Sequence, residues 1–170
     1  MHNAQNVVLI GMPGAGKSTV GVLLAKSLGM AFEDTDLLIQ QRDGRLLQTI
    51  IAEDGVQRFL EIEADVVSSL LARDTVIATG GSVIYSERAM RHLKENGLVI
   101  YIRIEFEELE KRITNMATRG IAIGSHQSLY SLYCERIPLY EKYADIIIDS
   151  SNLSVEETLK RILEALDKRG

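Results

Sequence analysis

The chain has 170 residues, 46% of them hydrophobic, which suffices for one core of respectable size, and nothing in the length demands a second domain. A formal charge of -5 argues against a nucleic-acid surface, which needs a clustered excess of Lys and Arg, so the expected partner is a small molecule. The single cysteine, Cys134, excludes an internal disulfide, the start Met1-His2-Asn3-Ala4 lacks the features of a secretory signal, and the longest apolar runs have strand length; a cytoplasmic protein with no membrane role is expected.

Short β-branched runs alternate with stretches of helical periodicity, the pattern of βα units around a parallel sheet. Val7 to Ile10 reads as the first strand, and it runs into Gly11-Met12-Pro13-Gly14-Ala15-Gly16-Lys17-Ser18, followed by a helical pattern through Leu28. The segment fits G-x-x-x-x-G-K-[ST], between strand and helix as that motif requires. Glycines let the backbone curl so that its N–H groups face phosphate oxygens, and the helix adds its positive end. Gly11, Gly14, Ala15, Gly16, Lys17, Ser18 and Thr19 are therefore the expected nucleotide-binding set. Lys17 would reach the β- and γ-phosphates of ATP, and Ser18 would place its hydroxyl on Mg²⁺.

The second strand, around Ala31 to Glu33, ends in Asp34-Thr35-Asp36, at the sheet edge where ligands bind in such folds. One carboxylate can hold metal-bound water while the other takes the proton of an attacking hydroxyl. The alternative for Asp36 is a helix N-cap, since an apolar helix follows it. A long helical insertion, Asp36 to Ala72, is punctuated by Gly44 and Gly55 and offers room for acceptor-binding elements. The third strand, Thr75 to Ala78, leads into Thr79-Gly80-Gly81-Ser82, which permits close approach of backbone to a ligand or is a plain turn.

A fourth strand is expected at Leu98 to Ile104, and a charge-rich helix start at Glu105 to Glu110. Asn115 to Ser128 is polar, without apolar periodicity, and reads as a mobile lid. Tyr130, Tyr133, Tyr140 and Tyr143 recur at near-helical spacing and read as packing against the sheet. Ala144 to Ile148 is the fifth strand, and Ser154-Val155-Glu156-Glu157 opens a closing helix with a capping box. A GTPase is not expected: there is no N-K-x-D, and the one D-x-x-G, Asp167 to Gly170, has no room for a switch after it. His2, His92 and His126 have no partners at metal-ligand spacing, so no structural zinc is expected.

Taken in order, the phosphate loop, Asp34-Thr35-Asp36, Thr79-Gly80-Gly81, Arg119, Arg136-Ile137-Pro138-Leu139-Tyr140 and Ala144-Asp145 give a chain that resembles the shikimate kinase family over nearly its whole length. The resemblance implies a three-layer α/β fold of the nucleoside-monophosphate-kinase type, with a five-stranded parallel sheet in the order 2-3-1-4-5 and helices on both faces. It implies one kinase domain, with an acceptor-binding insertion over 36–72 and a lid over 115–128. It also implies a monomeric kinase that transfers phosphate from ATP to a hydroxyl of a small metabolite, with shikimate the leading single candidate. By the same resemblance Asp36 matches the carboxylate that binds the acceptor hydroxyls and acts as base, and Asp34 its neighbour near the metal. Arg119 matches the lid arginine that closes on the transferring phosphate, and Arg112 the arginine beside the adenine. Arg136 matches an arginine that grips the acceptor carboxylate, and Gly80 and Gly81 match backbone donors to the acceptor.

The pattern departs from the family on the acceptor side. The helix that lines the acceptor pocket usually carries glycine-glutamate and then phenylalanine-arginine; here it reads Gly55-Val56-Gln57-Arg58-Phe59-Leu60, so Phe59 is kept while Val56 and Leu60 replace the glutamate and the arginine. Arg58 is no substitute, because two residues along a helix turn a side chain by roughly 200°. The third glycine of the family's triplet is Ser82, and the proline after the lid arginine is Gly120. Losing one arginine weakens carboxylate binding by roughly 10- to 150-fold. Three readings stay open on these grounds: shikimate as acceptor, another small hydroxylated metabolite that meets Leu60, and a module that binds ATP without an acceptor.

Overall fold

The computed structural model describes residues 5–114 and 128–170. Five strands, β1 (Asn6–Ile10), β2 (Ala31–Asp34), β3 (Thr75–Ala78), β4 (Gly97–Arg103) and β5 (Ile146–Asp149), form one parallel sheet in the order β2-β3-β1-β4-β5. The fifth strand starts two residues later than the sequence suggests, because Ala144 still closes the preceding helix by donating its N–H to Tyr140. The central strand β1 pairs with β3 from Val7↔Val76 to Leu9↔Ala78 and with β4 from Asn6↔Gly97 to Ile10↔Tyr101. Every residue of β1 is buried, as a strand covered on both faces must be.

Seven helices surround the sheet among the described residues: α1 (Lys17–Leu28), α2 (Thr35–Asp43), α3 (Leu47–Ser68), α4 (Glu87–Asn96), α5 (Phe106–Thr114), α6 (Leu129–Tyr143) and α7 (Val155–Asp167). The start of α7 carries the expected capping box, Ser154 bonding to the N–H of Glu157 and Glu157 bonding back. Helix α1 packs with α7, and α3 with α4. The main core runs through β1, β3 and β4 and includes Val8, Leu9, Ile10, Ile77, Val99 and Ile100, each contributing about 1.5–3 kcal/mol by burial.

The insertion between β2 and β3 has its own small core of Ile39, Leu47, Ile50, Phe59 and Val66, gathered from α2 and α3. Gly44 ends α2 in the left-handed region with φ 85°. Gly55 breaks α3 from within, with φ 86° and ψ 164°, so the helix runs in two segments that meet at an angle. No helix among the described residues is long and apolar enough to cross a membrane.

Candidate active site

Strands β1, β2 and β3 end at the same edge of the sheet, because their register pairs Asp34 with Ala78 and Leu9 with Ala78. The connections leaving β1 and β3 diverge there, β1 leading to β2 beyond β3 and β3 to β4 beyond β1, which opens a crevice. The phosphate loop fills one side of it. Gly14 and Gly16 have φ of 83° and 88°, and a Cβ on Gly11 (φ 147°) would lie 2.6 Å from the carbonyl oxygen of Ile102, so the curl depends on glycine at these points. Helix α1 begins at Lys17 and turns its first amides toward the loop. Lys17 is buried and donates from Nζ to the carbonyls of Gly11 (2.7 Å) and Met12 (2.8 Å). Ala15 is buried and donates its N–H to Met12, while Thr19 is exposed on the first turn of α1.

Ser18 Oγ donates to Asp34 Oδ2 at 2.8 Å, so the two residues expected at a metal stand together. The other oxygen of Asp34 accepts the N–H groups of Asp36 (2.9 Å) and Leu37 (3.3 Å). Asp34, rather than Asp36, is thus the N-cap of α2. The cap falls two residues earlier because Thr35 already has helical backbone, and Asp36, half-buried in the first turn, has its carboxylate turned to the cavity instead.

That cavity, about 620 Å³, is lined by Gly14, Gly16, Lys17, Ser18 and Thr19 of the loop, by Asp34 and Asp36, by Phe59, by Thr79 to Ser82, and by Arg136. Gly80 donates its N–H to Thr35 Oγ1. A Cβ on Gly80 would lie 2.7 Å from both Asp36 Oδ1 and Glu63 Oε2, and one on Gly81 would lie 2.6 Å from Pro13 and 2.9 Å from Arg136 Nη1. Backbone without side chains is what lets the two carboxylates and the arginine converge here. Arg112 stands at the rim of the loop, between the carbonyl of Gly14 and the Glu108 carboxylate. Arg119, and the lid apart from Ser128, lie outside the described residues; Ser128 itself caps α6.

On α3, Phe59 faces both the cavity and the small core. Leu60 is half-buried and packs against that core, and it is not among the lining residues. Arg58 points away, as its position two residues before Leu60 requires, and pairs with Glu61 on the surface.

Glu63 escapes a reading of the sequence motifs. Its only signal is the spacing of four from Phe59, which puts both on one face of the helix. It is 2% exposed, accepts from Ser82 Oγ at 2.6 Å, and has no hydrogen-bond partner for Oε2 among the described residues. Burial pushes its carboxyl up to about 7, helped by nearby Asp36 and opposed by Ser82, Arg136 and Lys17. Tyr140 is core, as its spacing suggests, stacked on Tyr101 at 5.0 Å, but its hydroxyl also donates to the Gly81 carbonyl at 2.6 Å and so fixes the glycine turn. Tyr130, by contrast, is exposed.

A phosphate loop at the tip of β1, facing a carboxylate across a recess of metabolite size, defines the class as a P-loop kinase of small molecules. The family model described as Shikimate kinase matches residues 13–167. Shikimate kinases of Methylococcus capsulatus and Thermobifida fusca are 34% and 36% identical to this chain, each alignment covering 100% of it and 97% or 99% of the relative. Among solved structures, the Acinetobacter baumannii shikimate kinase in complex with shikimate has a TM-score of 0.88 at 29% identity, covering 98% of this chain and 95% of that one. The Aquifex aeolicus shikimate kinase has a TM-score of 0.78 at 32% identity over 97% and 98%. The chain belongs to the shikimate kinase family.

Proposed function

We propose that this protein transfers the γ-phosphoryl group of ATP to a hydroxyl of shikimate, with Mg²⁺ as cofactor. The observation that carries the reading is that one cavity is lined by the phosphate loop, by Asp36 and by Arg136. Lys17 and the loop amides bind the β- and γ-phosphates, and Arg112 flanks the nucleotide. Thr19 and Ala15 complete the loop. Ser18 and Asp34, an oxygen pair 2.8 Å apart, fit a hard cation, which would neutralise phosphate charge.

On the acceptor side Arg136 binds the carboxylate, Phe59 lines the pocket while Leu60 packs into the insertion core beside it, and the backbone of Gly80 and Gly81 approaches the ring. Asp36 accepts the proton of the attacking hydroxyl as its oxygen bonds to the γ-phosphorus and the bond from that phosphorus to the bridging oxygen of ADP breaks. Arg119 stabilises the charge on the transferring phosphoryl group. Residues 36–72 serve as the acceptor-binding insertion of one kinase domain.

The relative from Acinetobacter baumannii forms a complex with shikimate, which supports the same acceptor here. Neither alternative raised by Leu60 is favoured, since family likeness spans the chain and Leu60 itself packs into the insertion core. The test is ADP release with shikimate as acceptor, run beside Asp36→Asn. Wild type should turn over, and Asp36→Asn should lose roughly 10²- to 10⁴-fold in kcat while melting cooperatively. Near-wild-type turnover in Asp36→Asn would remove that carboxylate from the mechanism.

A further inference from the structure

Arg136 lies within α6 with 1% of its surface exposed, and it is the only arginine among the described residues that line the cavity. A guanidinium is a rigid planar fork, so its usefulness to a carboxylate depends on which edge faces the ligand. Gly81 approaches the Nη1 corner. On the Nε side stands Tyr85, the last residue of the 3-10 turn Val83–Tyr85 that follows the glycines. Its phenol oxygen accepts from Arg136 Nε at 3.3 Å and donates to Glu135 Oε1 at 2.7 Å, and the guanidinium carbon lies 5.3 Å from the centre of its ring.

A phenol has one proton to give. Here Glu135 takes it, so the lone pairs of Tyr85 are turned toward Arg136. A phenol is protonated at neutral pH in any case, and partial burial and the Glu135 carboxylate, only partly offset by Arg136, push its pKa higher still. Pinning Nε fixes the plane of the guanidinium and aims its Nη edge.

We infer that Tyr85, backed by Glu135, is a positioning residue for acceptor recognition: its hydroxyl sets the plane of Arg136 so that the fork meets the acceptor's planar carboxylate. The inference rests on the functional reading above for the acceptor and on geometry alone for the positioning.

Tyr85→Phe removes the hydroxyl and keeps the ring. The KM for shikimate should rise roughly 10-fold, as loss of a hydrogen bond to a charged group requires, with kcat and the KM for ATP nearly unchanged. In a cycle with Arg136→Lys, read as shikimate affinity, the two losses should not add, because Tyr85 acts through the guanidinium. Without any acceptor, the Nε–H resonance of Arg136, identified by its disappearance in Arg136→Lys, should exchange with solvent slowly in wild type and fast in Tyr85→Phe. An unchanged shikimate KM, additive losses, or equal exchange in both proteins would overturn the inference. Should the wild type fail to phosphorylate shikimate, the functional reading falls, and the exchange measurement alone still decides whether Tyr85 holds Arg136.

Discussion

Glu63 shows how far one buried side chain shapes this site. Its carboxyl is held near 7 against an ordinary value of 4.5, a difference worth on the order of 3 kcal/mol when the group is forced to ionise. Because the folded pKa is raised, the native state keeps a proton that the unfolded chain has already lost. The contribution of Glu63 is therefore fully present below about pH 4.5 and fades as pH climbs to about 7. Glu63→Gln should remove that part of the slope, so its stability relative to wild type should grow across this window in urea melts and then level off. Parallel pH profiles for the two proteins would contradict the assignment. Residues of the phosphate loop were legible in the sequence because their roles are written within eight consecutive positions. Glu63, Ser82 and Tyr85 were not, since their partners lie 19 and 50 or 51 residues away and meet only through the fold.

At the scale of elements, α3 matters most, because its two halves hold opposite parts of one wall. Leu47 and Gln48 line the cavity from the first half and Phe59 from the second, with Gly55 between them. The φ and ψ of Gly55 belong to a region that other residues avoid at a cost of about 1–3 kcal/mol, and a Cβ there would meet nothing within 4 Å. Gly55→Ala is thus a test of backbone angle alone. It should lower Tm by several degrees and raise the KM for the acceptor more than that for ATP, because relief of the strain straightens the helix and moves Phe59. Equal changes in both KM values would show that the bend does not serve the acceptor wall. The strands and the final helix could be read from β-branched runs and from a capping box, both local signals. The cap of α2 could not: Asp34 and Asp36 are equally good candidates by type, and what selects Asp34 is the point where β2 releases the chain.

For the molecule as a whole, the order β2-β3-β1-β4-β5 brings together residues from three strand tips and from α6. Periodicity alone could reveal that such a sheet exists, but its order depends on pairings between distant segments, and only the likeness to a family made it readable in advance. On the acceptor side the same likeness misleads, since it aligns Leu60 with a binding position while in space Leu60 packs into the insertion core. Everything turns on one site, formed by the loop and Asp36, handing a phosphoryl group to an alcohol. That transfer is tested most directly by phosphorus NMR of the protein with ATP, Mg²⁺ and shikimate. The γ-phosphate signal should be replaced by a phosphomonoester coupled to a ring proton, in step with ADP. Inorganic phosphate as the sole new signal, or unchanged ATP, would contradict it.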